Sequence, residues 1–248
     1  MKINNIKKIA RDYWEKTPQQ YSRKMVFNSS RDFEWKVLRE FFNISSKSHK
    51  NIVDLGCGTG HHAVRFLMEG FKVTAIDTSF SALKILRERA EAEDKEQNLR
   101  IVKNDLSGPF FDKKFDAGYM ISVYMSLSND RKERLKILRN FVKGIKIGGK
   151  FFMMEPNPYD PLYIFFLPFV YKKNWREGLN IINSRKKIIY DDLKEVGIDK
   201  ISYRPYGFLP TFLMNSVKYV ANFNEIFCKL PLINNMCAFH MVLGTRIK

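Results

Sequence analysis

Short apolar runs of strand length alternate with segments whose apolar residues recur at helical spacing, and this rhythm sets the predicted architecture. Residues 3–27 and 31–43 read as amphipathic helices, with Phe33, Val37, Leu38, Phe41 and Phe42 at helical spacing in the second. Next comes the apolar run NIVDL, 51–55, followed by a corner containing Gly56, Gly58 and Gly60 and by a helix over 61–69 that stops at Gly70. The alternation continues with strands over 72–76, 99–103, 115–121 and 150–154, and helices over 79–92 and 130–143. Strands alternating with helices of ten or more residues predict right-handed crossovers and a parallel sheet, hence the α/β class.

After Glu155 the rhythm breaks. The stretch PNPYDPLYIFFLPFVYKKNW is rich in proline and aromatic residues, and only then do a helix (186–196) and a strand (199–204) return. A second aromatic segment, 206–237, precedes a final strand over 238–247. The predicted organisation is an N-terminal helical cap, 1–48, and a main domain, 49–248, with insertions at about 156–186 and 206–237. The two insertions follow the fifth and sixth strands, so they emerge at one edge of the sheet and are placed to form a lid there.

Charge modifies this picture without settling it. Forty-three Lys and Arg against 26 Asp and Glu give a formal charge of +17 over 248 residues, which concentrates anions of any kind near the chain. The basic residues form no long block, so a solvated positive surface accounts for them as well as a phosphate, nucleic acid or lipid partner does. Cys57, Cys228 and Cys237 are odd in number and lack CxxC spacing, which argues against a disulfide framework or a structural metal site. No signal-like N-terminus and no apolar run of membrane-spanning length is present, so a cytoplasmic location is expected, with peripheral membrane contact left open.

The glycine corner carries the chemistry. In a parallel sheet, ligands bind at the carboxyl ends of the strands where strand order reverses. Glycines there let the backbone turn sharply and approach a ligand, while the amides of the following helix point at it. The dinucleotide form of such a corner is GxGxxG. Here the sixth position is His61, which disfavours a nicotinamide-dependent oxidoreductase.

VDLGCGTG, 53–60, with AIDTS ending the second strand, resembles the first motif hDhGxGxG (h, apolar) of the class I S-adenosylmethionine-dependent methyltransferases. FDAGYMIS, 115–122, and IKIGGKFFMMEPN extend the likeness over roughly residues 50–155 and, more weakly, the last two strands. The resemblance implies a Rossmann-like three-layer sandwich on a mostly parallel seven-stranded sheet with an antiparallel last strand. It also implies S-adenosylmethionine as cofactor. Gly56, Cys57, Gly58 and Gly60 would form the cofactor turn, and Asp54 would lie near the methionine amino group. Asp77 with Thr78 would meet the ribose, and Asp105 with Leu106 the adenine. Tyr21, with Tyr13, would help to cover the cofactor. Asp77 as a helix cap, Asp105 as a turn residue and the two tyrosines as core packing are the competing readings.

The reaction implied is attack of an acceptor atom on an activated methyl group, which demands alignment and exclusion of water more than a dedicated base. If the acceptor is a hydroxyl, Glu155 and His240 are the candidate bases, although Glu155 can equally anchor the proline-rich turn and His240 can be a packed strand residue. Adjacent His61 and His62 do not by themselves make a metal site. An [ND]PPY motif is missing at the end of the fourth strand, where ISVY stands, and no PC pair occurs, which disfavours two nucleic-acid chemistries. Aromatic insertions flanked by Lys172, Lys173 and Trp175 point to a small hydrophobic or membrane-associated acceptor, such as a lipid or isoprenoid. An RNA methyltransferase and a non-catalytic S-adenosylmethionine-binding protein are the alternatives.

Overall fold

The computed structural model describes residues 12, 15, 16, 29–42, 51–104, 115–161, 165, 184–208, 226–231 and 233–248. Within them, α1 (Ser29–Phe42) precedes β1 (Asn51–Leu55), α2 (His61–Met68), β2 (Lys72–Asp77), α3 (Phe80–Ala92), β3 (Leu99–Lys103) and β4 (Phe115–Ile121). A four-residue helix, α4 (Tyr124–Leu127), and α5 (Arg131–Gly144) lead to β5 (Ile145–Pro156). The chain then closes through α6 (Lys186–Glu195), β6 (Ile198–Tyr206) and β7 (Phe239–Arg246).

The seven strands form one sheet in the order β3-β2-β1-β4-β5-β7-β6. All neighbours pair parallel except those of β7, which runs antiparallel to both β5 and β6. Strand order therefore reverses between β1 and β4, and the segments leaving those two strands diverge over a common crevice.

The central strands are apolar on both faces because helices cover both, which is why NIVDL reads as a continuous run and not as an alternation. On one face Val37, Leu38 and Phe42 of α1 join Phe66 and Leu67 of α2 and Leu83 and Leu86 of α3 in a single cluster. On the other, Tyr124 of α4, Leu138 and Phe141 of α5 and Ile189 and Leu193 of α6 pack over Val53, Met120 and Met153.

Helix starts follow local chemistry. Ser79 caps α3 by accepting from the Ala82 amide at 3.1 Å, and Asp130 caps α5 by accepting from the Lys132 amide at 2.9 Å. Two strands run beyond the expected bounds. β5 starts at Ile145, well before the expected residue 150, and carries a register shift against β4 between Phe115 and Ala117. β6 reaches Tyr206 and tolerates Pro205 because it is an edge strand with no neighbour on its outer side. Of the helix expected over 3–27 only residues 12, 15 and 16 are described, all of them helical, and most of both insertions lie outside the described residues.

Candidate functional site

The turn from β1 to α2 sits on the β1 side of the crevice. Gly56, Gly58 and Gly60 have φ of 69°, 52° and 77°, all in the left-handed region that L-residues adopt at a cost of about 1–2 kcal/mol each. The Gly56 and Cys57 amides donate to the Ile76 carbonyl at 2.8 and 3.0 Å, tying the turn to the end of β2.

The glycines have different reasons to be there. A Cβ at Gly60 would lie 2.0 Å from Leu86 Cδ1, and one at Gly56 would lie 2.3 Å from Val123 Cγ2, so the protein's own packing requires both. A Cβ at Gly58 would meet nothing within 4 Å among the described residues. That backbone is bare toward open space, as a cradle for a ligand would be. Gly60 starts α2 with no side-chain cap, so the positive end of the helix dipole lies at this turn.

Two acidic side chains flank the turn. Asp77 ends β2, and its two oxygens accept from the Gly58 amide at 2.8 Å and the Ser79 amide at 2.9 Å. A carboxylate offers about four lone-pair sites, so these bonds leave acceptor capacity for a ligand's hydroxyl groups. Burial pushes the Asp77 pKa up, and the amides of Ser79, Gly58 and Thr78 pull it back.

Asp54, on β1, is buried and accepts from the Tyr119 hydroxyl at 2.8 Å across the β1–β4 register pair. Burial raises its pKa to about 8, the Tyr119 bond opposes this and the Asp77 charge adds to it. A group in this state is stabilised by an arriving cation. The Cys57 thiol, buried beside both acids, is pushed up first by burial and then by their charges.

The β4 side of the crevice is built by long-range contacts. Ser122 adopts φ 57°, a strained value for a residue with a Cβ, and its amide donates to the Met154 carbonyl at 2.8 Å. The reversal throws Val123 against Gly56 and starts α4. Glu155, fully buried at the end of β5, caps that helix: Oε1 accepts from the Val123 and Tyr124 amides at 2.8 Å each, and Oε2 from the Met125 amide at 3.3 Å. Burial lifts the Glu155 pKa to about 7 against the pull of these three amides.

Behind α4, buried Asp192 of α6 accepts from the Tyr124 hydroxyl at 2.7 Å and from Nε of Arg131 and of Arg134, each at 2.8 Å. Arg134 also donates to the Ser128 carbonyl at 3.0 Å. This network pins α4 to α5 and α6 and so fixes the wall that Val123 presents to the glycine turn.

Of the two candidate bases, Glu155 is therefore committed to holding backbone amides. His240 is its register partner on β7. Buried His240 contacts the Tyr203 hydroxyl through Nδ1 at 2.9 Å, and burial together with Lys186 lowers its pKa to about 4, keeping the ring neutral. The structure brings the two candidates together as neighbours on the β5–β7 side of the sheet edge.

Gly56, Cys57, Gly58, Gly60, Asp54, Asp77 and Thr78 gather around the β1–β2 end of the sheet. Asp105, Leu106, Tyr13 and Tyr21 lie outside the described residues. His62 forms a buried 3.0 Å pair with Glu34 that fastens α2 to α1, and among the described residues no group of three or more His, Cys, Asp or Glu is placed to hold a metal ion. Tyr119 and Val123 escaped the sequence reading. Pairing β1 with β4 in register would have put Tyr119 beside Asp54, but nothing local marks Val123 or Ser122.

A family model described as "Methyltransferase domain" matches residues 52–149. The cypemycin N-terminal methyltransferase of a Streptomyces species is 30% identical over 109 residues, covering 44% of this chain and 43% of that protein. The chain thus matches less than half the length of this curated relative. Among solved structures, a possible histamine N-methyltransferase of Thermotoga maritima superposes with a TM-score of 0.64 at 15% identity over 95% of this chain and 98% of the other. The magnesium protoporphyrin IX methyltransferase of Synechocystis PCC 6803, solved with S-adenosylmethionine bound, gives 0.62 at 12% identity over 97% of each chain. At such identities the likeness is one of fold.

Proposed function

Through residues 52–149 the chain belongs to the class I S-adenosylmethionine-dependent methyltransferases, and on that premise we propose that it transfers the cofactor's methyl group to a small hydrophobic acceptor. The observation that carries this reading is the asymmetry of the glycine turn. Packing accounts for Gly56 and Gly60, whereas Gly58 leaves bare backbone facing open space beside two carboxylates.

The residues present fit the cofactor. Gly58 lets the backbone approach it, Asp77 accepts from the ribose hydroxyls with its remaining lone pairs, and Asp54 faces the methionine ammonium. Cys57 and Thr78 line the turn, while the adenine partners Asp105 and Leu106 and the covering Tyr21, which the resemblance implies, lie outside the described residues. The bound cofactor supplies a methyl group already activated on a sulfonium. What the chain has to do is orient the donor, admit the acceptor along the line of attack and keep water out, contributions that positioning alone makes worth several kcal/mol, on the order of 7–11 at best.

Glu155 acts in this reading by position, holding α4 and Val123 as the wall between donor and acceptor. Neutral His240 is the remaining base candidate for a hydroxyl acceptor. The acceptor side is apolar and open: Tyr159, Phe165, Ile226 and Leu230, all near the insertions, are 54%, 67%, 59% and 44% exposed. Lys229 is exposed among them, and Arg185 lies 5.8 Å over the Tyr159 ring. Apolar side chains ringed by cations suit a lipid-like acceptor met at an anionic membrane surface by a cytoplasmic, peripheral protein. Among the described residues no helix is long and apolar enough to cross a membrane.

The test is to incubate the protein with methyl-labelled S-adenosylmethionine and a cell extract, then separate lipid, RNA, protein and small-molecule fractions. Label in the lipid or small-molecule fraction is the expected result. Label confined to RNA overturns the acceptor class in favour of a nucleic acid drawn by charge. Cofactor binding with no label in any fraction overturns catalysis and leaves a binding protein.

A further inference from the structure

Cys228 and Cys237 play no part in the methyltransferase reading, and their odd-numbered, widely spaced pattern hides that they meet. Their Sγ atoms lie 3.1 Å apart, both side chains are buried, and both are free thiols. We propose that Cys228 and Cys237 form an oxidative modification site that takes a peroxide as its oxidant and closes to an intrachain disulfide.

The backbone around the pair is held on both sides. The Leu230 amide donates to the Phe227 carbonyl at 3.0 Å, the Asn234 amide to the Leu230 carbonyl at 2.9 Å, and the Met236 amide to the Ile233 carbonyl at 2.8 Å. Asn157, at the exit of β5, donates from Nδ2 to the Asn235 and Cys237 carbonyls at 2.8 and 2.7 Å, and its amide donates to the Ala238 carbonyl at 2.7 Å. A disulfide bond is about 2.05 Å long, so the sulfurs need to close by only about 1 Å from their separation of 3.1 Å.

Either thiol can donate in this contact, so either sulfur, for example that of Cys228, can attack first. Its attack on hydrogen peroxide forms an S–O bond and breaks the O–O bond, leaving a sulfenic acid on Cys228 and one water once the leaving hydroxide takes the thiol's proton. Cys237 then attacks Cys228 Sγ, the S–O bond breaks, and the hydroxyl leaves as a second water with the Cys237 proton. Two thiols and one peroxide give one disulfide and two waters. Cys57 provides an internal control, since its sulfur contacts the Gly58 carbonyl at 3.7 Å, has no partner thiol there, and has burial and then the charges of Asp54 and Asp77 disfavouring its thiolate.

The experiment treats the folded full-length chain with hydrogen peroxide, quenches, denatures, alkylates with iodoacetamide and maps the cysteines by mass spectrometry. The expected result is a drop of about tenfold in alkylation of Cys228 and Cys237, a cross-linked peptide two hydrogens lighter, unchanged labelling of Cys57 and full reversal by dithiothreitol. In Cys228→Ser the cross-link is absent and Cys237 stays alkylatable at the same peroxide dose. Undiminished alkylation of both cysteines in the wild type overturns the proposal, as does their conversion to sulfinic or sulfonic acids without a cross-link. None of these readouts depends on methyl transfer.

Discussion

Asp54 and Glu155 are buried carboxylates on either side of the same crevice, and the protein employs them in opposite ways. Asp54 has one described hydrogen-bond partner, the Tyr119 hydroxyl, and burial lifts its pKa to about 8. Glu155 is met by three backbone amides, and its pKa rises only to about 7. The less satisfied group lies beside the bare backbone of Gly58, where a cationic ligand end would complete it. The more satisfied group is already complete and holds a wall. Burial alone therefore does not mark a functional acid; unfilled acceptor capacity beside open space does.

The same contrast divides the glycines, and it can be broken by substitution. Gly60→Ala puts a methyl 2.0 Å from Leu86 Cδ1 at φ 77°, so we expect about 3 kcal/mol lost from the denaturant-derived stability. A loss under about 1 kcal/mol would mean that the turn relaxes and that packing does not require this glycine.

Asp77→Ala should weaken S-adenosylhomocysteine binding by about 1–3 kcal/mol in calorimetry through lost charged hydrogen bonds. Because the carboxylate also holds the Gly58 and Ser79 amides, a melting curve must accompany the titration. Unchanged affinity would remove Asp77 from the ribose site.

Glu155→Gln sharpens the comparison from the other side. The amide keeps one acceptor oxygen but turns an N–H2 toward a backbone donor, so stability should fall by about 1–2 kcal/mol. The affinity for S-adenosylhomocysteine should move less than in Asp77→Ala. The reverse ranking would place Glu155 in the cofactor site.

The remaining expected effect is on pH. Asp54 holds a proton up to about 8 in the folded chain, whereas the unfolded chain releases it near 3.8. The unfolded state binds fewer protons between those values, so this group makes stability fall as pH rises through that window, and Glu155 acts with the same sign up to about 7. A ligand ammonium beside Asp54 lowers its pKa again, so binding below pH 8 should release a proton. Calorimetry in buffers of different ionisation enthalpy measures that release, and zero release would separate Asp54 from the ammonium.

What was legible in the chain follows the same division. The cofactor side is made of backbone conformation, and positive φ at three close positions leaves a local record in GCGTG; the alternation of strands and helices likewise records the parallel sheet. The acceptor side is made of contacts between residues about 30 or more apart, as in Glu155 with Val123 and Asp192 with Tyr124. Such pairs leave no spacing to read. The four residues of α4 and the strained Ser122 are stabilised by those distant partners and not by their own propensities. Glu155 was placed correctly at the end of a strand, but its capping bonds depend on a turn that the sequence does not announce. Cys228 and Cys237 show the same limit, since only the folded loop brings them together.

The most direct measurement of the central claim is a calorimetric titration of S-adenosylhomocysteine into the wild type and Gly58→Ala, with melting curves for both. A Cβ at Gly58 meets no atom of the described residues within 4 Å, so the variant should keep its fold at a cost of about 1 kcal/mol from the positive φ, while losing the one-to-one binding expected of the wild type. No binding to the wild type, or equal binding to both, would contradict a cofactor seated on that backbone.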